Sequence, residues 1–198
     1  MSMLTLLTRG NPTLAQRSET VEDILNPEFQ TFLDDLIQSG EDNMGVGIAA
    51  PQVGKNLRAF ILAPKPSKRY PNAPEMPPMP IINPEILGTF GPIEKDWEGC
   101  LSVPGFNATV VRPERAVVTG LDRRGAPQTV EGHGLLARAF QHEMDHLDGT
   151  LFVDRLRGIK RDLIVRKIKK LTRTGTSLNQ RAATIAETTP QSVPTAYP

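Results

Sequence analysis

The feature that most constrains this chain is the segment Gln141-His142-Glu143-Met144-Asp145-His146. Histidines four residues apart lie one turn from each other on the same face of a helix, so both imidazoles can reach one metal ion. The glutamate between them is then placed to take a proton from a water molecule at that ion. This spacing predicts a ligand-bearing helix and is typical of metal-assisted hydrolases.

The residues around the motif predict that its helix is largely buried. Apolar side chains recur at helical spacing, and Asp148-Gly149 is expected to end the helix with Gly149 as its cap. Histidines and a glutamate on a buried helix need polar partners, because unpaired polar groups are costly there, and a metal supplies one. The apolar positions are Leu135, Leu136, Ala139, Phe140, Met144 and Leu147.

Downstream of the motif, the third ligand used by other families is missing or poor. One class of metalloproteases would place a histidine where this chain has Phe152, and another takes a glutamate from a later helix. The only later glutamate is Glu187, in a tail of polar composition, and Asp154 and Asp162 are weak candidates. A downstream third ligand is therefore not expected.

Upstream, Cys100 is the only cysteine of the chain. A single cysteine is most often a small buried apolar side chain, and with a histidine as base it can act as a nucleophile. Its thiolate would instead complete a Cys/His/His metal site with one position open for water. A chain without disulfides is also typical of a reducing cytoplasm.

Three segments resemble the signature motifs of the peptide deformylase family. They are Gly45-Val46-Gly47-Ile48-Ala49-Ala50-Pro51-Gln52, Glu98-Gly99-Cys100-Leu101-Ser102 and the histidine segment, in the family's order. The resemblance extends over roughly residues 4–171. It implies an enzyme that removes the formyl group from the N-terminal formyl-methionine of nascent polypeptides and releases formate. It also implies a deformylase-like α+β fold, in which antiparallel β-sheets pack around a central metal-binding helix.

The resemblance implies a role for each residue of the site. Glu143 would be the general acid and base, while the Gln52 side-chain amide and the backbone N–H of Leu101 would stabilise the oxyanion. One divalent ion is expected, typically Fe²⁺ in the family, with Zn²⁺, Ni²⁺ or Co²⁺ able to occupy the same site. The implied metal ligands are Cys100, His142 and His146.

The substrate is expected to bind as an extended peptide that pairs with the backbone like an added strand. Such pairing tolerates many sequences, which suits an enzyme that must accept many nascent chains. For Leu135 and Ala139, packing in the core is an equally good and compatible interpretation. The implied substrate-binding residues are Gly45, Val46, Gly47, Gly99, Leu135 and Ala139.

Two positions are not settled by the resemblance. Some family members carry an arginine seven residues after the cysteine, where it helps to hold the substrate backbone, and this chain has Asn107 there. Peptide affinity is therefore expected to differ. Arg138 lies one helical turn before His142, where it would either extend to solvent or pair with a carboxylate.

Composition and local patterns predict a single α+β domain. The 198 residues carry a net charge of +1 and contain no long apolar run, so neither DNA binding nor a membrane span is expected. The N-terminus lacks a signal-peptide pattern. We expect a catalytic domain at residues 1–173 and a disordered tail at 174–198, in a cytoplasmic protein.

Before the metal helix, predicted strands outnumber helices and do not alternate with them as βαβ units. Asn26-Pro27 is expected to begin a helix that Gly40 ends. Residues 64–80 are rich in proline and predict an exposed loop. The segments predicted to be extended are 59–62, 81–87 and a hairpin of 116–121 with 127–130.

Residues 155–173 combine apolar positions at helical spacing with many lysines and arginines. This pattern is usual for a solvent-exposed helix that packs on the rest of the protein through one apolar face. Deformylases with a C-terminal helix use it to contact the ribosome, so a second interpretation is a phosphate-driven, salt-sensitive ribosome contact.

Three other functions compete with deformylation. A metallopeptidase that cuts internal bonds would explain the histidines and Glu143 but not the other two motifs. A metal-binding or peptide-binding protein without activity is disfavoured because Glu143 and Gln52 are both present. A cysteine hydrolase built on Cys100 would remain active after treatment with a chelator.

Overall fold

The computed structural model of the chain describes residues 4–67 and 70–173, so the expected disordered tail at 174–198 lies outside the described residues. Within these residues lie three α-helices and five strands, with short 3₁₀ turns between them. The helices are α1 (Pro27–Asp42), α2 (Gly134–Leu147) and α3 (Gly158–Arg173). The strands are β1 (Gly47–Ala49), β2 (Ala59–Leu62), β3 (Met79–Gly99), β4 (Asn107–Leu121) and β5 (Pro127–His133).

The strands of the described residues form one antiparallel sheet in which each strand pairs with its neighbours in the sequence. The expected α+β class is therefore confirmed. Strands β3 and β4 form the longest pairing of the sheet. Their register shifts at three places between Ile82 and Ile93. From Ile93 to Gly99 the pairing is regular, and this end of the hairpin delivers the chain to Cys100.

Helix α2 packs against the sheet and carries the histidine motif. Its buried apolar residues, Phe140 and Leu147 among them, join Phe60 and Leu62 of β2 and Val118 of β4 in one core cluster. Burial of these apolar side chains supplies most of the stability that holds the helix in place.

The end of α2 is as the sequence predicts. The helix stops at Leu147, Asp148 is its C-cap, and Gly149 follows with a left-handed φ of 71°. A β-carbon on Gly149 would lie 2.8 Å from the carbonyl carbon of Ala15, so the position requires glycine for two reasons.

The predicted boundaries of α1 are half correct. The Asn26 side chain accepts the N–H of Glu28 at 2.9 Å and caps the helix as expected. The predicted end at Gly40 is wrong, because the helix continues to Asp42. Gly40 serves packing instead: a β-carbon there would lie 3.0 Å from the Ile48 side chain of β1.

Predictions for the remaining segments are confirmed in position, and the prediction for β2 is confirmed in length as well. Strand β2 is fully buried as expected, while β3 and β4 extend well beyond the predicted 81–87 and 116–121. The proline-rich segment is largely exposed where described, although Pro64 and Ala73 are buried. The C-terminal helix begins at Gly158 rather than at 155, and Ile168 anchors it in a core cluster with Phe152.

Within residues 4–67 and 70–173, no helix has both the length and the apolar character needed to cross a membrane.

Candidate metal centre and peptide cleft

Cys100, His142 and His146 converge at the end of the β3–β4 hairpin. Their donor atoms all lie within 4.8 Å of one another, and the Cys100 Sγ is 3.1 Å from the His146 Nε2. Metal–ligand bonds of about 2.0–2.3 Å place the donors of a tetrahedral site roughly 3–4 Å apart. One thiolate and two imidazoles at this separation therefore fit a divalent transition metal.

Glu98 fixes the orientation of the His142 ring. The His142 Nδ1 lies 3.0 Å from the Glu98 Oε2, so this nitrogen carries the proton and donates to the carboxylate. The other nitrogen, Nε2, then faces the remaining ligands with its lone pair. This arrangement is the one that metal-binding histidines commonly adopt, because the second hydrogen bond sets the tautomer and raises the basicity of the ligand.

Two buried arginines hold Glu98 in turn. Arg112 donates to both carboxylate oxygens at 2.5 and 2.8 Å, and Arg138 donates to the Oε1 at 2.8 Å. Burial alone would raise the pKa of Glu98, but the hydrogen bonds from Arg112 and His142 more than offset it and hold that pKa well below its usual range. Burial would likewise lower the pKa of Arg112, and its bonds to Glu98 raise it instead. Glu98 is therefore an anion at working pH.

The Arg138 side chain does not extend to solvent. Besides Glu98, it donates to the backbone carbonyl of Val110 at 3.0 Å, and it is buried between α2 and the hairpin. Of the two alternatives for this residue, pairing with a carboxylate is the one observed.

A second buried carboxylate anchors the far end of the motif. Asp145 lies 3.0 Å from the Arg112 Nη1 and also accepts hydrogen bonds from Arg155, which follows the helix. Arg112 of β4 therefore links Glu98 of β3 to Asp145 of α2. A buried ion pair between Arg112 and Asp145 therefore connects the ligand-bearing helix to the hairpin.

Glu143 is buried beside the ligands. Its Oε2 has no hydrogen-bond partner among the described residues. Burial raises the pKa of Glu143 to about 7, although the neighbouring charge of His142 opposes the rise. A carboxyl group with such a pKa can both accept and return a proton near neutral pH.

The two motif histidines differ in protonation. Burial lowers the pKa of both, but hydrogen bonds with Cys100 and Glu98 raise that of His142 well above its usual value. The pKa of His146 falls well below the usual value through burial and the charge of His142. Metal binding must displace the extra proton from His142, since a metal binds the deprotonated imidazole.

Gln52 lies in a 3₁₀ turn that follows β1, and its amide orientation is fixed from both ends. The Oε1 accepts the N–H of Ala49 at 2.8 Å, while the Nε2 donates to the Ser102 Oγ at 3.2 Å. The Nε2 is also 3.5 Å from the Cys100 Sγ. The Gln52 amide N–H group is therefore held next to Cys100, in an orientation suited to an oxyanion donor.

Gly47 allows β1 to approach Glu143 closely. A β-carbon at Gly47 would lie 2.5 Å from the Glu143 Oε1 and 2.6 Å from the Leu62 Cδ2. No side chain fits there without displacing the glutamate. At Gly45 a β-carbon would come within 3.3 Å of the Leu101 Cδ1.

A cavity of about 860 Å³ opens above these residues. Every residue predicted to bind substrate lines it, together with Gln52, Leu101 and Glu143. The buried His146 lies behind this lining. Asn107 is exposed at the same cavity. The lining residues predicted from the sequence are Gly45, Val46, Gly47, Gly99, Leu135 and Ala139.

The weaker candidates from the sequence lie elsewhere. Asp154 forms an ion pair with Arg9 at 2.7 Å, and Asp162 is exposed on α3. Phe152 contributes a ring that stacks on His142 with centroids 6.3 Å apart.

Sequence reasoning missed three residues of the site, which are Glu98, Ser102 and Arg112. Glu98 and Ser102 belong to the cysteine motif, so their position in it was a usable signal. Arg112 lies in an ordinary strand pattern, and only its burial in the structure distinguishes it from a surface arginine.

Comparison with known proteins gives consistent results. Residues 3–162 match the family described as polypeptide deformylase. A protein named peptide deformylase 2 from Nostoc sp. is 47% identical over 154 residues, which are 78% of this chain and 86% of that protein.

Solved structures are similar as well. A peptide deformylase from Ehrlichia chaffeensis is 36% identical with a TM-score of 0.78, covering 88% of this chain and 99% of that one. A class I type b peptide deformylase from Acinetobacter baumannii, solved with Met-Ala-Ser bound, is 39% identical with a TM-score of 0.75 and covers 78% and 99%.

Proposed function

This chain belongs to the polypeptide deformylase family, and we propose on that premise that Cys100, His142 and His146 hold its one metal ion. The chain is a metal-dependent hydrolase that removes the formyl group from the N-terminal formyl-methionine of nascent polypeptides and releases formate. The observation that supports the site assignment is the convergence of the three donors within 4.8 Å beneath the cavity.

A divalent ion at this position supplies a Lewis acid that makes water a nucleophile near neutral pH. Glu143 is the group that moves the proton. Its free Oε2 and raised pKa suit it to take a proton from the attacking water and to deliver it to the amine that leaves.

Attack on the formyl carbon places negative charge on its oxygen. The Gln52 Nε2–H and the backbone N–H of Leu101 are the proposed donors to that oxygen. Their positions are fixed before substrate arrives, because Gln52 is held by Ala49 and Ser102 and Leu101 adjoins Cys100. Preorganised donors of this kind typically contribute on the order of a hundredfold or more in rate each.

The peptide is proposed to lie along the cavity as an added strand. The backbone of residues 45–47 and Gly99 would form its two borders, and the methionine side chain would enter between Val46, Leu135 and Ala139. The A. baumannii structure with Met-Ala-Ser bound supports a peptide cleft of this kind in a similar fold.

We propose Fe²⁺ as the native ion, with Zn²⁺, Ni²⁺ or Co²⁺ as possible replacements. A thiolate with two imidazoles is a donor set that accepts several of these ions, so availability decides between them. Elemental analysis of protein purified without added metal identifies the ion.

Replacing Glu143 by alanine tests whether Glu143 is needed for catalysis and not for metal binding. The variant is expected to bind metal as the wild type does and to lose formate release from formyl-Met-Ala-Ser. Formate release near the wild-type rate would show that another group moves the proton. Cleavage of an internally quenched peptide without formate release would indicate a peptidase instead.

We further propose that residues 1–173 are the catalytic domain and that the enzyme acts in the cytoplasm, where nascent chains emerge. Helix α3 is proposed to contact ribosomal RNA through exposed basic side chains, with Arg161, Arg166 and Lys167 on its surface.

Changing these three side chains to glutamine should weaken ribosome binding and lower its salt dependence. A matched variant with Lys55, Lys65 and Arg124 changed to glutamine controls for net charge. Equal binding by both variants at moderate salt would contradict the contact.

A further inference from the structure

Three of the six large apolar side chains that are exposed on β3 and β4 lie towards the cavity end of the hairpin. Ile93 is 66% exposed, Trp97 is 61% exposed and Val111 is 51% exposed. We call these three residues the apolar stripe. Single exposed apolar residues are ordinary on protein surfaces, whereas contiguous ones mark sites of interaction.

The register of the hairpin places the three residues on one face, which Lys95 shares between Ile93 and Trp97. Lys95 pairs with Val111, so Val111 lies diagonally between Ile93 and Trp97 on the same face. The opposite face of these strands is the buried one, which carries Glu98 towards α2. The stripe therefore lies on the sheet face that points away from the core.

The same face leads into the cavity. Gly99 lies two residues beyond Trp97 and forms the last pair of the hairpin with Asn107. Both residues of this pair line the cavity. Since a strand rises about 3.3 Å per residue, Trp97 lies roughly 7 Å from the cavity rim and Ile93 roughly 20 Å from it. The pair Gly99 and Asn107 lies between the cavity and the apolar stripe. Neither residue has a charged side chain, so this pair places no charge between them.

We propose that the apolar stripe is an extended subsite that binds apolar side chains of the substrate polypeptide downstream of its formyl-methionine. An extended chain advances about 3.3–3.6 Å per residue, so residues roughly four to eight of a peptide anchored at the metal would reach it. This inference rests on the proposed function, because it takes the cleft as the place where the N-terminus is held.

Anchoring makes a weak apolar contact effective. Once the formyl-methionine is bound, the downstream residues meet the stripe at high effective concentration, as in any linked binding. Burial of the Trp97 ring against an apolar side chain is favourable through the loss of exposed apolar surface. Substrates with leucine or phenylalanine at these positions would therefore be preferred over equally long polar ones.

Peptide length and composition test the proposal. Formate release is measured with formyl-Met-Ala-Ser, with the same tripeptide extended by Leu-Gly-Leu-Gly-Leu, and with an extension of Ser-Gly-Ser-Gly-Ser. The wild type is expected to show a KM about fivefold lower for the leucine peptide than for the serine peptide. The double variant Trp97→Ser, Val111→Ser is expected to treat the two peptides alike.

A matched control changes exposed apolar residues away from the cavity. The variant Leu25→Ser, Ile159→Ser should retain the wild-type preference for the leucine peptide, since both residues are exposed outside the cavity lining. Equal KM values for the two long peptides in the wild type, with the tripeptide still turned over, would overturn the extended subsite alone. Absence of formate release from the tripeptide would instead refute the proposed function.

Trp97 also reports binding directly, because it is the only tryptophan of the chain. The non-formylated leucine peptide is expected to shift its fluorescence to the blue, whereas the serine peptide is not. This readout does not depend on turnover. Two results would assign the apolar stripe another occupant and so overturn the proposal. In the first, the wild type sediments as a dimer and the stripe variant as a monomer. In the second, deletion of residues 174–198 shifts the Trp97 emission to the red without peptide.

Discussion

At the scale of single residues, the site depends on how closely a few side chains are held. Glu143 is buried, carries a raised pKa and approaches a strand that has room only for glycine. Gln52 has its amide fixed by one acceptor and one donor contact. Small changes at these positions are therefore expected to alter catalysis more than folding.

The Glu143→Gln variant should change how the stability of the metal-free protein depends on pH. The pKa of Glu143 is raised to about 7 in the folded protein from an ordinary value of about 4.5, so the free energy of unfolding falls as pH rises between these values. Glutamine does not titrate and removes this decline, which amounts to about 3 kcal/mol.

Urea unfolding of both metal-free proteins at pH 5 and pH 8 measures the difference. The variant should gain stability relative to the wild type as the pH rises. The same pH dependence in both proteins would show that the Glu143 pKa is not raised.

Gly47→Ala should abolish most activity while leaving the fold intact. The added methyl group meets both Glu143 and Leu62, and the glutamate must move to admit it. A displaced acid and base typically costs about a hundredfold or more in kcat. Kinetics on formyl-Met-Ala-Ser, with circular dichroism as the control for folding, checks this. A kcat within twofold of the wild type would contradict the close approach.

At the scale of elements, the site lies where α2 packs against the β3–β4 hairpin. In the proposed centre, helix α2 provides two ligands and the acid and base, and the hairpin provides the third ligand and the carboxylate that orients His142. Arg138 joins the two elements through Glu98, and Arg112 joins them through Asp145. The precision of the site therefore depends on residues outside the proposed ligand set.

Arg138→Met is expected to weaken metal binding about tenfold, because a residue that orients a ligand through a second hydrogen bond typically contributes that much. Arg112 still pairs with Glu98 in this variant, so the fold should persist. Competition with a chromophoric chelator measures the affinity. The matched control is Arg115→Met, which removes an exposed ion pair with Glu131. Equal metal affinity in both variants would contradict the positioning role.

The sequence was sufficient to predict elements whose signals are local. Helix α2 and its end at Gly149 follow from the spacing of apolar residues and one cap. The lengths of β3 and β4 do not, because glycines and prolines interrupt their alternation and register shifts accommodate them. The contact of Glu98 with Arg112 crosses between strands and leaves no short-range pattern.

At the scale of the whole molecule, one antiparallel sheet supplies both the core that supports α2 and the walls of the cavity. The edge strand β1 forms one border of the cleft, and the far end of β3 forms the other. Residues that are distant in the sequence, from Gly45 to Glu143, therefore meet at one cavity. The family resemblance predicted this meeting, which no single segment of the chain could.

The most direct test is formate release as a function of bound metal. Protein freed of metal with a chelator is titrated with Fe²⁺ without oxygen, and formate release from formyl-Met-Ala-Ser is measured in parallel with bound iron. Activity should be absent at the start and rise linearly to one ion per chain. The Cys100→Ser variant should bind Fe²⁺ more weakly and lag behind the wild type, since a hydroxyl is a poorer ligand. Full activity of the metal-free protein, or identical titrations for both proteins, would contradict the proposed centre.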